Sequence, residues 1–165
     1  MPASTVTVKQ ICDAIHQELG LALVASGDLT RSQNAAADPQ TDEGMTEGIN
    51  DQNVLQVYPE EQTLVSVGGG TQKKTLGSTP YIDEEIVINC DYYAKQRANI
   101  GEDMAKLITG IDAIRGNLKG QNCPNPFDLT GIPSFQWSWQ RVIFAYGEPQ
   151  LNYIGARFRL VLRTY

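Results

Sequence analysis

The sequence predicts an α+β fold in which two α-helices pack on one face of a single, mainly antiparallel β-sheet. Two segments, one near the start and one from about residue 100, carry apolar residues at helical spacing. The other apolar segments alternate with polar residues in period two, as half-buried strands do. The chain of 165 residues is expected to form one domain, 1–165.

A long polar stretch over residues 26–52 follows the first predicted helix. It consists mostly of Gly, Ser, Asn, Asp, Gln and Thr. This composition cannot bury enough apolar surface to offset the entropy of ordering the chain. We therefore interpret 26–52 as an inserted acidic loop or arm that orders, if at all, against a neighbouring molecule.

The first helix is predicted from Val8 to Leu19, with Gly20 as its stop. Thr7 and Gln10 have the spacing of a capping box. One apolar stripe runs along the helix and comprises Val8, Ile11, Cys12, Ile15 and Leu19.

The second helix is predicted to begin after a cap pair formed by Asn99 and Glu102. Its apolar stripe comprises Ile100, Met104, Leu107, Ile108, Ile111 and Leu118. Gly116 and Gly120 weaken the helical pattern, and three prolines after Gly120 separate it from the final strands.

Strands are predicted at 54–58, 63–67 and 85–93, then at 135–146 and towards the C-terminus. Between the second and third lies a flexible loop with Gly68, Gly69 and Gly70. Lys73 and Lys74 follow in the same loop and are candidates for contact with another subunit or partner. In segment 135–146 the apolar residues change from odd to even positions near Gln140. Such a switch predicts either a bulge or a strand that is buried on both faces.

The last strand alternates most clearly. Ala156, Phe158, Leu160 and Leu162 share one face, and Arg157, Arg159 and Arg163 share the other. We expect the arginines on the open sheet face together with Asn89, Asp91 and Tyr93, where their removal would leave the core intact. They form either a solvated face or a contact with another subunit or partner. The second is favoured because three arginines along one exposed strand otherwise repel each other.

Two further clusters are candidates for partner contact. Phe135, Trp137 and Trp139 either fill the space between sheet and helix or form a docking patch, since Trp is enriched at interface hot spots. Glu84 and Glu85 begin a strand and, as neighbours, face opposite sides, so they cannot form a carboxylate pair. They indicate edge protection or an interface.

No residue pattern predicts a catalytic, metal-binding or phosphate-binding site. His16 is the single histidine, one turn after Cys12, and no second ligand pair follows it, so a structural or solvent-facing histidine is favoured over zinc binding. The Gly68–Gly70 loop with Lys73 and Lys74 lacks the following helix that a phosphate loop requires. We therefore expect no enzymatic activity, no metal and no cofactor.

Charge is unevenly distributed along the chain, whose net charge is −6. Residues 28–61 contain eight acids and one base, whereas residues 95–165 contain nine bases and five acids. This segregation suits head-to-tail association between copies, although a solvated loop and an ordinary basic surface would give the same counts. The overall acidity argues against nucleic-acid binding as the primary function of the chain.

The three cysteines, Cys12, Cys90 and Cys123, are widely spaced and odd in number, which argues against a disulfide framework. No apolar run approaches the roughly 18–20 residues of a membrane span, and the first residues lack the features of a secretory signal. We expect the chain to fold in a cytoplasm and to have no membrane partner.

The order and character of the elements resemble a known family. The stretches concerned are YIDEEIVINCDYYAKQ, IGEDMAKLITGIDAIRGNL and WQRVIFAYGEPQLNYIGARFRLVLRTY, preceded by a short amphipathic helix and a Val-Tyr-Pro strand. Together they are similar to the tail terminator (tail-completion, head-tail joining) proteins of long-tailed bacteriophages. The resemblance covers the first helix and residues 54–165, and the acidic arm is longer than the family suggests.

The resemblance implies a structural virion protein of the neck, assembled in the host cytoplasm. It would form a ring, commonly of six copies, that terminates the tail tube and meets the head-side connector, with DNA passing through the lumen. The alternative is a monomeric α+β binding module that docks a protein partner on its aromatic and arginine strands.

Overall fold

The fold consists of a five-stranded sheet with helices on one face. A computed structural model describes residues 6–35, 53–66, 82–96, 100–121, 125–146 and 151–164. The helices are α1 (Val8–Ile15), a π-helical segment (His16–Leu21), α2 (Ala22–Ala25) and α3 (Ile100–Lys119). The strands are β1 (Arg31–Asn34), β2 (Val54–Ser66), β3 (Ile82–Gln96), β4 (Ser134–Tyr146) and β5 (Leu151–Thr164).

The strands lie in the order β1-β2-β3-β5-β4. β1 pairs parallel with β2, and the other three pairings are antiparallel. The sheet is thus mixed but mostly antiparallel, and the predicted α+β class is confirmed. No helix among the described residues has the length and apolar character to cross a membrane.

One core fills the space between the helices and the covered face of the sheet. Ile11, Ile15 and Leu19 from the first helical segment meet the buried residues of α3 and of the central strands. The predicted inward face of β3 is confirmed, because Ile86, Ile88, Cys90 and Tyr92 are all buried there. Cys12 and Cys90 are free thiols in this core, as the sequence indicated. Cys123 lies outside the described residues.

The first helical segment begins as predicted but does not end at Gly20. Thr7 and Gln10 form the capping box, each side chain accepting from the other's backbone N–H. The segment continues through the π-helical turn to Ala25, where Gly20 is buried. A Cβ atom at Gly20 would clash with the Ser32 side chain, so the glycine permits close packing against β1 instead of stopping the helix.

Part of the predicted arm is a strand. Arg31–Asn34, within the stretch 26–52, form β1 and pair with Val54–Val57. Asn34 is buried and donates a 2.8 Å hydrogen bond to the Asp13 carboxylate. The interpretation of 26–52 as a continuous arm was therefore wrong for β1, because tertiary hydrogen bonds replace the missing apolar burial. The rest of the arm, 36–52, lies outside the described residues.

The structure corrects one further strand prediction and decides between the two alternatives of another. The segments 54–58 and 63–67 form a single strand, β2, in which Pro59 sits at a register shift and Glu60 is bulged out of the pairing with β3. A proline lacks the N–H of a ladder, and a bulge on an edge accommodates it. β4 pairs with β5 without a register shift, so the change near Gln140 marks a strand with apolar residues on both faces.

The stripe of α3 is corrected at two positions. Ile108, which was predicted to be inward, is exposed, and Ile114 is buried in its place. Gly110 lies over Tyr92, where a Cβ would clash with the phenol ring, and so lets the helix approach β3 closely. Asn99, the predicted cap, lies outside the described residues. The structure describes the backbone of Ile100 and Glu102 but not their side chains.

Candidate functional site: the open face of the sheet

The open face of the sheet is the side opposite the helices, and it carries the polar residues of β3 and β5. Arg157, Arg159 and Arg163 lie on this face, as predicted, because they alternate with the buried Phe158, Leu160 and Leu162. Asp91 stands opposite Arg157 in the β3–β5 register, and Asn89 stands opposite Arg159. The pairing of the two strands thus places cations beside polar and acidic groups of the same chain.

A buried polar network lies at the centre of this face. The Arg157 guanidinium donates from Nε to Oδ1 of Asp91 at 2.8 Å and from Nη2 to Oδ2 at 3.1 Å. Tyr58 Oη donates to the same carboxylate at 2.8 Å, and Asn89 Nδ2 donates to Tyr58 Oη at 3.4 Å. The Asp91 side chain is only 4% exposed. The carboxylate is therefore satisfied by three donors within its own chain.

The electrostatics of this network follow from burial and from the Asp91 charge. Burial, followed by the neighbouring charge of Asp91, raises the pKa of Tyr58 to about 12. The hydrogen bonds to Asp91 raise the pKa of Arg157 above its ordinary range. Arg157 therefore stays cationic and Tyr58 stays protonated at neutral pH, which keeps every donor of the network in place.

The outer arginines are held more loosely. Arg159 lies 3.5 Å from a Glu60 oxygen and 3.8 Å from a Glu61 oxygen. Arg163 lies 3.7 Å from a carboxylate oxygen of Glu85. The arginine side chains are 45% and 41% exposed, respectively. Such exposed pairs contribute little to stability, so these cations can exchange their partners at low cost.

The structure corrects the expectation that all three arginines are surface cations removable without effect on the fold. Arg157 forms the bidentate pair with a buried carboxylate, and its guanidinium also lies 5.7 Å from the ring centre of Phe144. Phe144 belongs to a second apolar cluster on the open face with Val54, Tyr93 and Tyr153. Removing Arg157 would leave a charge buried without its counter-ion, which is costly.

A shallow cleft of about 180 Å³ opens between these groups. Asn89, Gln140 and Arg159 are among its lining residues. Asn89 Oδ1 is buried and has no hydrogen-bond partner among the residues that the structure describes. The orientation of this amide follows from the network, because Tyr58 Oη already donates to Asp91 and so accepts from Asn89.

The other predicted contact residues that the structure describes are divided between the two faces of the sheet, and Glu85 lies beside an arginine. Trp137 and Trp139 stand opposite Leu160 and Phe158 of β5 and therefore face the helix side. Trp137 packs partly against the core, whereas Trp139 is 42% exposed. Glu85 pairs with Arg163, and Glu84 accepts a 2.8 Å hydrogen bond from Gln62. The loop residues Gly68, Gly69, Gly70, Lys73 and Lys74 lie outside the described residues.

Sequence reasoning missed Tyr58, Glu60 and Glu61 as members of this face. The sequence predicted that the strand ends at Pro59, whereas the strand continues through a bulge. This bulge brings both glutamates towards Arg159. His16 Nδ1 lies 2.9 Å from Ser32 Oγ, in agreement with a structural histidine. Within the described ranges no group of three His, Cys, Asp or Glu residues could hold a metal ion.

A scan against models of known protein families finds no match, and no curated protein matches the chain. The prediction that this chain is not an enzyme stays a prediction.

Proposed function

We propose that this chain is a structural virion protein that forms a ring at the head-tail junction of a long-tailed bacteriophage. The ring would terminate the tail tube and join it to the head-side connector, with DNA passing through its lumen. Support comes from the order of the elements, which resembles that of tail terminators, and from the layered α+β arrangement. The proposed copy number of six rests on the family resemblance.

The observation that carries the proposal is the exposed charge of two arginines on the open face. Arg159 and Arg163 combine high exposure with long ion pairs of 3.5–3.8 Å. In a ring they would re-pair with carboxylates of a neighbouring subunit or partner, where desolvation strengthens charge coupling. Arg157 is excluded from this role because Asp91 already holds it in bidentate geometry.

The direct test is the mass and shape of the purified chain, alone and mixed with tail tubes. We expect light scattering to give a multiple of 18.1 kDa that corresponds to a ring, and negative-stain images to show rings, either free or at tube ends. A chain that stays monomeric in both samples and leaves tube ends bare would contradict the proposal.

A matched pair of variants tests the role of the open face. Arg159→Ser combined with Arg163→Ser should reduce ring formation or tube-end binding while the chain stays folded. Arg115→Ser is the control, because Arg115 lies on α3 with a similar exposure of 41% and pairs locally with Asp112. Equal assembly of both variants would remove the outer arginines from the interface.

The second candidate is a monomeric binding module. It is favoured by Trp139, which is a large exposed aromatic residue on β4. In that case the chain would bind one protein partner in a one-to-one complex, and Trp139→Ala would weaken the complex without any ring appearing.

A further inference from the structure

β4 is a long edge strand without the usual protection against pairing. It lies at one end of the sheet, where β5 is its only neighbour among the described strands. Its 13 residues include neither Gly nor Pro and only one charge, Arg141. Its pairing with β5 is regular throughout. The outer edge of β4 therefore presents a straight row of backbone N–H and C=O groups.

The opposite side of the sheet differs. There β1 covers only Val54–Val57 of β2, and the remainder of β2 carries Pro59, Glu60 and Glu61 at a bulge. Proline, charge and bulges are the devices by which proteins block edge-to-edge pairing. Among the described residues, one edge of the sheet thus carries such protection and the β4 edge does not.

Several side chains of β4 are exposed. On the helix side, Trp139 is 42% and Ile143 is 49% exposed, and Arg141 between them is exposed as well. Two large apolar side chains flanking one cation on an unpaired edge are typical of an interface, where Trp and Arg are enriched.

We propose that β4 pairs antiparallel with β4 of a second copy of this chain, across a two-fold axis normal to the sheet. The five strands of each copy would then form one continuous sheet with all helices on the same side. The odd-numbered residues of β4 face the helix side of the sheet. Because side chains alternate between faces, the helices of both copies lie on the same side only if odd-numbered residues of one β4 stand opposite odd-numbered residues of the other. Self-complementary two-fold contacts are the most common kind in homo-oligomers.

Charge and length select the register. An axis at Gln140, the middle residue of Ser134–Tyr146, pairs the full strand with itself. It places Trp139 opposite Arg141 of the second copy, a cation–π arrangement, and the exposed Ile143 opposite Trp137. An axis at Arg141 would oppose two guanidinium groups, and an axis at Trp139 would shorten the paired segment.

This contact does not rest on the proposed ring. It uses one strand twice and closes with two copies, whereas a cyclic ring joins two different surfaces head to tail. A ring could form without it, and the dimer could form without a ring.

Cysteine cross-linking of the full chain tests the contact and its register. Residues directly opposite across an antiparallel pair are close enough for a disulfide, so Gln140→Cys should give a covalent dimer on mild oxidation. Gln136→Cys is the matched control, since it is exposed on the same strand and face but would lie roughly 26 Å from its symmetry mate. The wild-type chain, oxidised in the same way, measures how much covalent dimer its own three cysteines form.

We expect at least about tenfold more covalent dimer for Gln140→Cys than for Gln136→Cys, because the contact would hold the two thiols introduced by Gln140→Cys together. Random collisions between monomers would cross-link both variants equally. Equal yields would overturn the proposal. A ring that forms without the Gln140→Cys cross-link would also overturn it while leaving the proposed function intact.

A charge exchange provides an independent test by equilibrium sedimentation. Trp139→Lys would place an ammonium opposite Arg141 of the second copy and should weaken the dimer at least about tenfold, since like charges directly opposed on a sheet are destabilising. Adding Arg141→Glu should restore the dimer by pairing Lys with Glu. Circular dichroism of each variant checks the fold. A wild-type chain that remains at 18.1 kDa at the highest soluble concentration would refute the contact.

Discussion

The two faces of β5 are stabilised by different interactions: apolar burial on the helix side and ion pairs on the open side. On the helix side Phe158, Leu160 and Leu162 are fully buried in the core. On the open side Arg157, Arg159 and Arg163 each pair with acids of the same chain. The inward face depends on apolar area removed from water, whereas the outward face depends on how deeply each ion pair is buried. Residues one step apart should therefore respond very differently to truncation.

The largest effect is expected on the helix side. Leu160→Ala removes a fully buried side chain and leaves a cavity that the sheet cannot close. We expect the free energy of unfolding to fall by about 2–5 kcal/mol. Urea denaturation would measure it as a lower midpoint at constant slope. A loss below about 1 kcal/mol would mean that this part of the core is loosely packed.

An intermediate effect is expected at the buried ion pair. Arg157→Met leaves the Asp91 carboxylate, which is 4% exposed, without its counter-ion. We expect a loss of about 2–3 kcal/mol, below the usual range for buried pairs because the Arg157 side chain is 36% exposed.

Adding Asp91→Asn to Arg157→Met should recover much of this loss, because the double variant buries no charge. The double-mutant cycle isolates the pairing energy. If the double variant is no more stable than Arg157→Met alone, the cost comes from lost packing against Phe144 and not from the buried charge.

The smallest effect is expected at the outer pairs. Arg159→Ser and Arg163→Ser should each change the free energy of unfolding by no more than about 0.5 kcal/mol, because both arginines are exposed and their ion pairs are long. Thermal denaturation at low and at moderate salt measures the change. A loss comparable to that of Arg157→Met would show that the open face is stabilised as one connected charge network.

Local patterns were sufficient for much of the fold. The capping box at Thr7, the inward face of β3 and the two faces of β5 follow from side-chain periodicity, which the backbone geometry imposes directly. The class of the fold follows as well, since one-sided helices and half-buried strands pack in few ways. The face of each arginine was therefore predictable, but its partner was not.

Long-range pairing required the tertiary structure. β1 has no apolar pattern, and its place beside β2 depends on backbone hydrogen bonds and on the small volume of Gly20. The continuity of β2 through Pro59 depends on a bulge that only the register with β3 reveals.

The sequence by itself determined which side chains of β5 point inward and which point outward, because a strand alternates with period two whatever surrounds it. The tertiary structure alone decided that Arg157 meets Asp91 across 66 residues of chain, that Arg159 meets two glutamates at a bulge, and that β4 is the last of the described strands in the sheet. Strand order and register depend on contacts between segments remote in sequence, and no local pattern encodes them.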